Sequence, residues 1–274
     1  MPKKPPTRAD FPSHLSLTIT PPPCSPQQTQ PQPPPNILLL LHGLGDSATA
    51  FTSFARALHL PETTILTIQA PHPLPFDLPG AHWGDDVTLD AGSGSSGGGL
   101  DMDGGFERAT RLLVEDVVKG VLVQTCGYGE RDILVFGFGQ GGMAALCVAN
   151  ALALGSSSST SSSGSLGGGR GGGEPGKELS GVVSIGAPYP LSAKVGRGKS
   201  RTPVLLVAGR DSTAVSDGAV QRTKQEFEFV EVHRYARRGD GMPRNREEMW
   251  PVMQFLARRL RSWKGVPEGS VEIT

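Results

Sequence analysis

A chain of 274 residues, 37% hydrophobic and 19% charged, carries enough apolar content to bury one sizeable core. Its 26 Lys and Arg balance 26 Asp and Glu, which leaves no positive surplus for nucleic acid or an anionic membrane surface. Cys24, Cys126 and Cys147 are widely spaced and form no C-x-x-C pair, so neither a disulfide framework nor a zinc site is expected, and the reducing cytoplasm fits.

Lys3 and Lys4 near the N-terminus are followed by polar and proline-rich sequence instead of an apolar h-region, so no secretory signal is expected. Leu15-Ser16-Leu17-Thr18-Ile19 alternates apolar and polar residues, which predicts a short strand joining a sheet edge. Proline and glutamine dominate residues 21–35, a composition for extended, solvated backbone. Residues 1–35 therefore read as an arm with a strand and a linker, 36–264 as the folded domain and 265–274 as a tail. Apolar runs such as 37–41 and 143–148 fall far short of the roughly 20 residues that span a bilayer, so no integral membrane segment is expected.

Within the domain, the pattern predicts a strand at 37–41, a helix at 50–58, a strand at 64–68 and a helix at 106–123. It continues with a strand at 133–136, a helix at 142–154, strands at 181–185, 204–208 and 227–233, and a closing helix at 247–263. Gly/Ser-rich stretches at 91–99 and 155–176 read as loop inserts; neither has the glycine, lysine and hydroxyl spacing of a phosphate loop. Alternating strands and helices imply an α/β fold: a mainly parallel sheet with helices on both faces and ligands bound at the carboxyl ends of the strands.

The strand at 133–136 runs into Gly137-Phe138-Gly139-Gln140-Gly141-Gly142 and then a helix. That is the strand, sharp turn and helix of a nucleophile elbow, G-x-S-x-G, with Gly139 where an attacking side chain belongs. The stretch resembles the G-F-S-Q-G-G elbow of the phospholipase/carboxylesterase and acyl-protein thioesterase family of α/β-hydrolases. Leu41-His42-Gly43-Leu44-Gly45-Asp46-Ser47 is similar to that family's L-H-G-L-G-D-[ST] loop, Trp83-Gly84-Asp85 to its W-x-D segment, and 247–256 to the start of its final helix.

The resemblance implies an α/β-hydrolase fold without a cofactor or a metal, and oxyanion-hole amides at Leu44 and Gln140. It also implies a triad at Gly139, at Ser212 or Asp211 for the acid, and at Met242 for the base. His42, Trp83 and Asp85 become cleft candidates. Glycine offers no nucleophile and methionine no proton acceptor, so the expectation is a noncatalytic member that binds an acyl or small-molecule ligand, or a protein partner. Two alternatives stand beside it. One is a serine-independent ester or thioester hydrolase in which Asp85 or Asp86 activates water. The other is an adaptor that docks its P-x-x-P spacing within 21–35 into aromatic grooves.

Overall fold

The computed structural model describes residues 2–23, 33–87, 101–155, 178–196 and 198–262. The core of both inserts, most of the proline-rich linker and the 265–274 tail lie outside the described residues, and the closing helix expected to reach residue 263 ends at Arg259, where Leu260 turns extended.

The strands are β1 (Leu17–Thr20), β2 (Asn36–Leu41), β3 (Thr63–Ile68), the short β4 (His72–Pro73) and β5 (Ala81–His82), β6 (Ile133–Phe138), β7 (Gly181–Ile185), β8 (Val204–Ala208) and β9 (Val230–Arg234). Seven of them form one sheet in the order β1-β3-β2-β6-β7-β8-β9. Only β1 runs antiparallel, pairing Leu17 with Ile68 and Thr20 with Ile65. From β2 the chain moves outward to β3, then returns to lay β6 on the other side of β2. The junction of β2 and β6 is therefore the switch point at which open α/β sheets form ligand clefts.

Every residue of β2, β3, β6, β7 and β8 except Phe138 is buried, as a parallel sheet covered on both faces requires. Alternate side chains of β2 feed two separate cores. Ile37, Leu39 and Leu41 face Val117, Val121 and Leu146, whereas Leu38 and Leu40 face Phe51, Phe136 and Phe255. The second core is closed by α1 (Ala48–Ala57) and α5 (Arg246–Arg259). The first is closed by α2 (Glu107–Arg111) with its continuation, by α3 (Gln140–Gly155) and by Val220 of α4 (Asp217–Glu226). The arm joins this core through Phe11 and Leu15, and Lys4 N–H donates to the Cys126 carbonyl at 2.9 Å.

The structure departs from the sequence pattern at several points. The helix expected at 106–123 widens into π-helical geometry over Leu112–Thr125, keeping Leu113, Val117 and Val121 on the sheet side. The last strand begins at Val230 instead of residue 227, because Phe227 is drawn into the core and bridges Ser200. The pattern anticipated neither α4, capped where Ser216 Oγ accepts from the Ala219 amide, nor the β4–β5 hairpin.

Asn36, 1% exposed, ties the sheet to the end of α5. Its Nδ2 donates to the carbonyls of Glu62 and Arg261 at 3.0 and 2.8 Å, and its Oδ1 accepts from the Arg261 amide at 2.7 Å. Replacing Asn36 with Ala strands these partners, and we expect a loss of about 2 kcal/mol in urea denaturation. An unchanged midpoint would show that the tie contributes nothing.

Candidate functional site

The turn between β6 and α3 passes so close to its neighbours that side chains are excluded. A Cβ on Gly137 would lie 2.1 Å from the Gly141 carbonyl oxygen, and one on Gly141 would lie 2.4 Å from the carbonyl oxygens of Leu41 and His42. At the apex, Gly139 adopts φ +51°, in the left-handed region. Its amide donates to the Ile185 carbonyl at 2.8 Å, and its own carbonyl accepts from Gly142 and Met143, starting α3. The apex itself is open: a Cβ there would have Met102 Sδ at 3.9 Å and Gly43 Cα at 4.0 Å as its nearest neighbours.

A cleft of about 450 Å³ lies over this apex, lined by Gly43, Leu44, Gly45, Met102, Phe138, Gly139, Gly186, Ala214 and Asp240. The segments following β2, β6, β7, β8 and β9 all contribute, so the cleft sits at the carboxyl ends of the sheet. Leu44 stands in its wall. Gln140 opens α3, and an amide at that position has no acceptor within its own helix. Both backbone groups expected to face a carbonyl oxygen thus belong to the segments that form the cleft.

The loop after β9 contributes Asp240, not Met242. Asp240 Oδ1 accepts from the Gly209 amide at 2.7 Å and Oδ2 from the Ser212 hydroxyl at 2.6 Å. Gly186 makes room for it, since a Cβ there would stand 3.0 Å from Asp240 Cβ. Met242 packs against the core closed by α1 and α5. Arg237 accounts for the difference from simple counting. Its guanidinium donates to the carbonyls of Gly239, Gly241 and Met242, each at 3.0 Å, and to Glu248 Oε1 at 2.8 Å. Gathering those carbonyls on one side directs the carboxylate of Asp240 towards the cleft and the thioether away from it.

Ser212 and Asp211 also separate. Ser212 faces Asp240 and accepts from the Val215 amide at 2.9 Å, whereas exposed Asp211 accepts from the Gly239 amide at 3.0 Å. That backbone donor holds the Asp211 carboxyl below the usual range, with Arg238 and Arg210 adding to the effect. Asp211 thus braces one loop against the other and does not line the cleft.

None of the three cleft candidates, His42, Trp83 and Asp85, lines the cleft; they support it from behind. Fully buried His42 has both ring nitrogens engaged, Nδ1 with the Gly43 carbonyl at 2.8 Å and Nε2 accepting from the Ala70 amide at 3.0 Å. Trp83 Nε1 donates to the His42 carbonyl at 2.8 Å. Asp85 accepts from the amides of Glu107 and Arg108 at 2.7 and 2.9 Å and so caps α2, while exposed Asp86 accepts from the Val87 amide. The Gln140 side chain accepts from the Trp83 amide at 2.7 Å and donates to the Met102 carbonyl at 3.2 Å, linking the elbow to the cleft's outer wall. Cys126 and Cys147 are free, buried thiols, and burial pushes both up in pKa.

A model of the phospholipase/carboxylesterase family matches residues 26–166. An uncharacterized hydrolase of Schizosaccharomyces pombe is 27% identical over 244 residues, which cover 87% of this chain and 89% of that protein. A second uncharacterized hydrolase, from Mycosarcoma maydis, is 37% identical over 123 residues, 40% of each chain. Among solved structures, esterase PE8 superposes with a TM-score of 0.61 at 18% identity, over 90% of this chain and 99% of its own. Acyl-protein thioesterase 2 of Zea mays gives 0.57 at 21% identity, with the same coverage. At these identities the structural likeness establishes the fold.

Burial holds the His42 pKa below the ordinary histidine value, against the pull of the Gly43 carbonyl. The unfolded chain then binds a proton that the folded ring refuses. The stability His42 contributes is complete above about pH 6.5 and is lost as pH falls towards the lowered folded value. Replacing His42 with Gln should shrink the drop in melting temperature between about pH 7.5 and about pH 5.5. An equal drop in both proteins would assign the effect elsewhere.

Proposed function

The chain belongs to the phospholipase/carboxylesterase family of α/β-hydrolases, and from that premise we propose that its cleft binds an acyl or other small carbonyl ligand without hydrolysing it. The observation that carries this reading is Gly139: the apex of the elbow presents backbone where acyl transfer needs an oxygen or sulfur nucleophile. The remaining parts suit binding. Leu44 in the cleft wall and the free first amides of α3, which Gln140 opens, support carbonyl binding, and Leu44, Met102, Phe138 and Ala214 offer apolar walls to a chain. The six histidines supply no base to the cleft, since none lines it. Buried free thiols support a reducing compartment such as the cytoplasm, and no described helix is long and apolar enough to cross a membrane.

Purified protein should hydrolyse p-nitrophenyl and thioester substrates at the buffer rate, without an initial burst of product. Steady turnover would defeat the noncatalytic reading. A constructive test follows from the geometry. Gly139→Ser has room for its side chain but adopts an unfavourable backbone region, costing roughly 1–2 kcal/mol, and alone it should stay inert. Combined with Asp240→His and Ser212→Asp it should gain esterase activity of about a hundredfold over the parent, the low end of what a positioned base contributes. Combination with Met242→His instead should give nothing.

A second reading is favoured by one observation, the carboxylate of Asp240 in the cleft wall. If the protein hydrolyses an activated ester without a serine, Asp240 is the group placed to take a proton from water, because Asp85 is committed to capping α2. Under that reading Asp240→Asn abolishes turnover. Turnover that survives the substitution removes Asp240 as the base.

A further inference from the structure

We propose that the cleft selects carboxamides, acyl groups on nitrogen that carry an N–H, over the esters, thioesters and free carboxylates of the same acyl chain. The inference rests on the acyl-binding reading above and deepens it. It starts from the polarity of the one charged group in the cleft wall. Each oxygen of Asp240 already accepts one hydrogen bond from inside the protein, Oδ1 from the Gly209 amide and Oδ2 from the Ser212 hydroxyl. In that pattern Asp240 acts as an acceptor, and its remaining lone pairs are the ones a ligand meets.

An imidazole at this place can donate or accept; a carboxylate only accepts. Whatever a ligand presents to Asp240 must therefore be a donor. The opposite demand comes from the start of α3, whose first amides have no acceptor within the helix, beside Leu44 in the cleft wall. A ligand that satisfies both carries a carbonyl and an adjacent donor, which is a description of a secondary carboxamide. An ester or thioester has the carbonyl but brings only a second acceptor, so the carboxylate loses water without gaining a partner. A free carboxylate adds like-charge repulsion within one cleft of about 450 Å³. A hydrogen bond to a charged acceptor, made by one ligand and missing from its isostere, corresponds to about tenfold or more in affinity.

The test uses the full chain and three probes that share one six-carbon acyl chain: N-methylhexanamide, methyl hexanoate and sodium hexanoate, titrated calorimetrically and by ligand-observed NMR. The expected order is amide tightest by about tenfold, then ester, with hexanoate weakest. In Asp240→Asn, whose side chain can also donate, the amide preference collapses and hexanoate gains. Ser212→Ala, which leaves the carboxylate in place, keeps the amide preference. An ester or hexanoate that binds the parent as tightly as the amide overturns the proposal and leaves acyl binding intact. Absence of binding by all three to folded protein removes acyl binding and this proposal together. The order of the probes on the parent protein decides the matter even if Asp240→Asn fails to fold.

Discussion

The passage of the chain from β6 into α3 is the constraint on which the rest of this structure depends. Strand β6 lies between β2 and β7, and the turn that follows it must clear the carbonyls of Leu41 and His42 with almost no space. Gly137 and Gly141 meet that demand by lacking a Cβ. The consequence reaches beyond the turn. Because α3 starts at once, the side chain of Gln140 turns inward to hold Trp83 and the Met102 segment. One residue at the start of α3 thereby staples two surrounding segments to the turn.

At the apex of that turn, backbone conformation and chemistry part company. A side-chain nucleophile at φ +51° is held there against its preference, and such strain persists only where the surroundings over-determine it. Glycine adopts this conformation without that strain, so the turn keeps its shape at lower cost. The scaffold behind it is correspondingly well satisfied: His42, Trp83 and Asp85 each spend their hydrogen-bonding groups on neighbouring backbone. These residues hold the two donor-bearing loops in place.

The facing wall joins a hydroxyl to a carboxylate. A hydroxyl, Ser212, occupies the place expected for an acid, and a carboxylate, Asp240, stands where the loop after β9 reaches the cleft. The two side chains are hydrogen-bonded, so the loops after β8 and β9 are joined at the cleft. Arg237 sets the aim of that loop by collecting three of its carbonyls, and its guanidinium stacks over Tyr235 at 4.6 Å. The face the pair offers to a ligand is the accepting lone pairs of Asp240.

The sequence by itself determined the architecture and the glycine at the apex. Continuous apolar runs such as 37–41 and 204–208 can only be strands buried on both faces, and the glycine spacing around residue 139 is readable because no other residue passes so tight a turn. Helix α4 was hidden because its exposed, polar composition gives little apolar period, and its Ser216 cap is one serine among many. Tertiary structure alone decided which residue of the loop after β9 enters the cleft. Counting back from α5 assigns Met242, but counting assumes one backbone path, and the path here is set by Arg237 and by hydrogen bonds from Gly209 and Ser212, some 30 residues away in sequence. It likewise decided that His42, Trp83 and Asp85 stand behind the cleft instead of in it. Side-chain direction depends on partners the folded chain brings together, and those partners leave no local period or spacing to read.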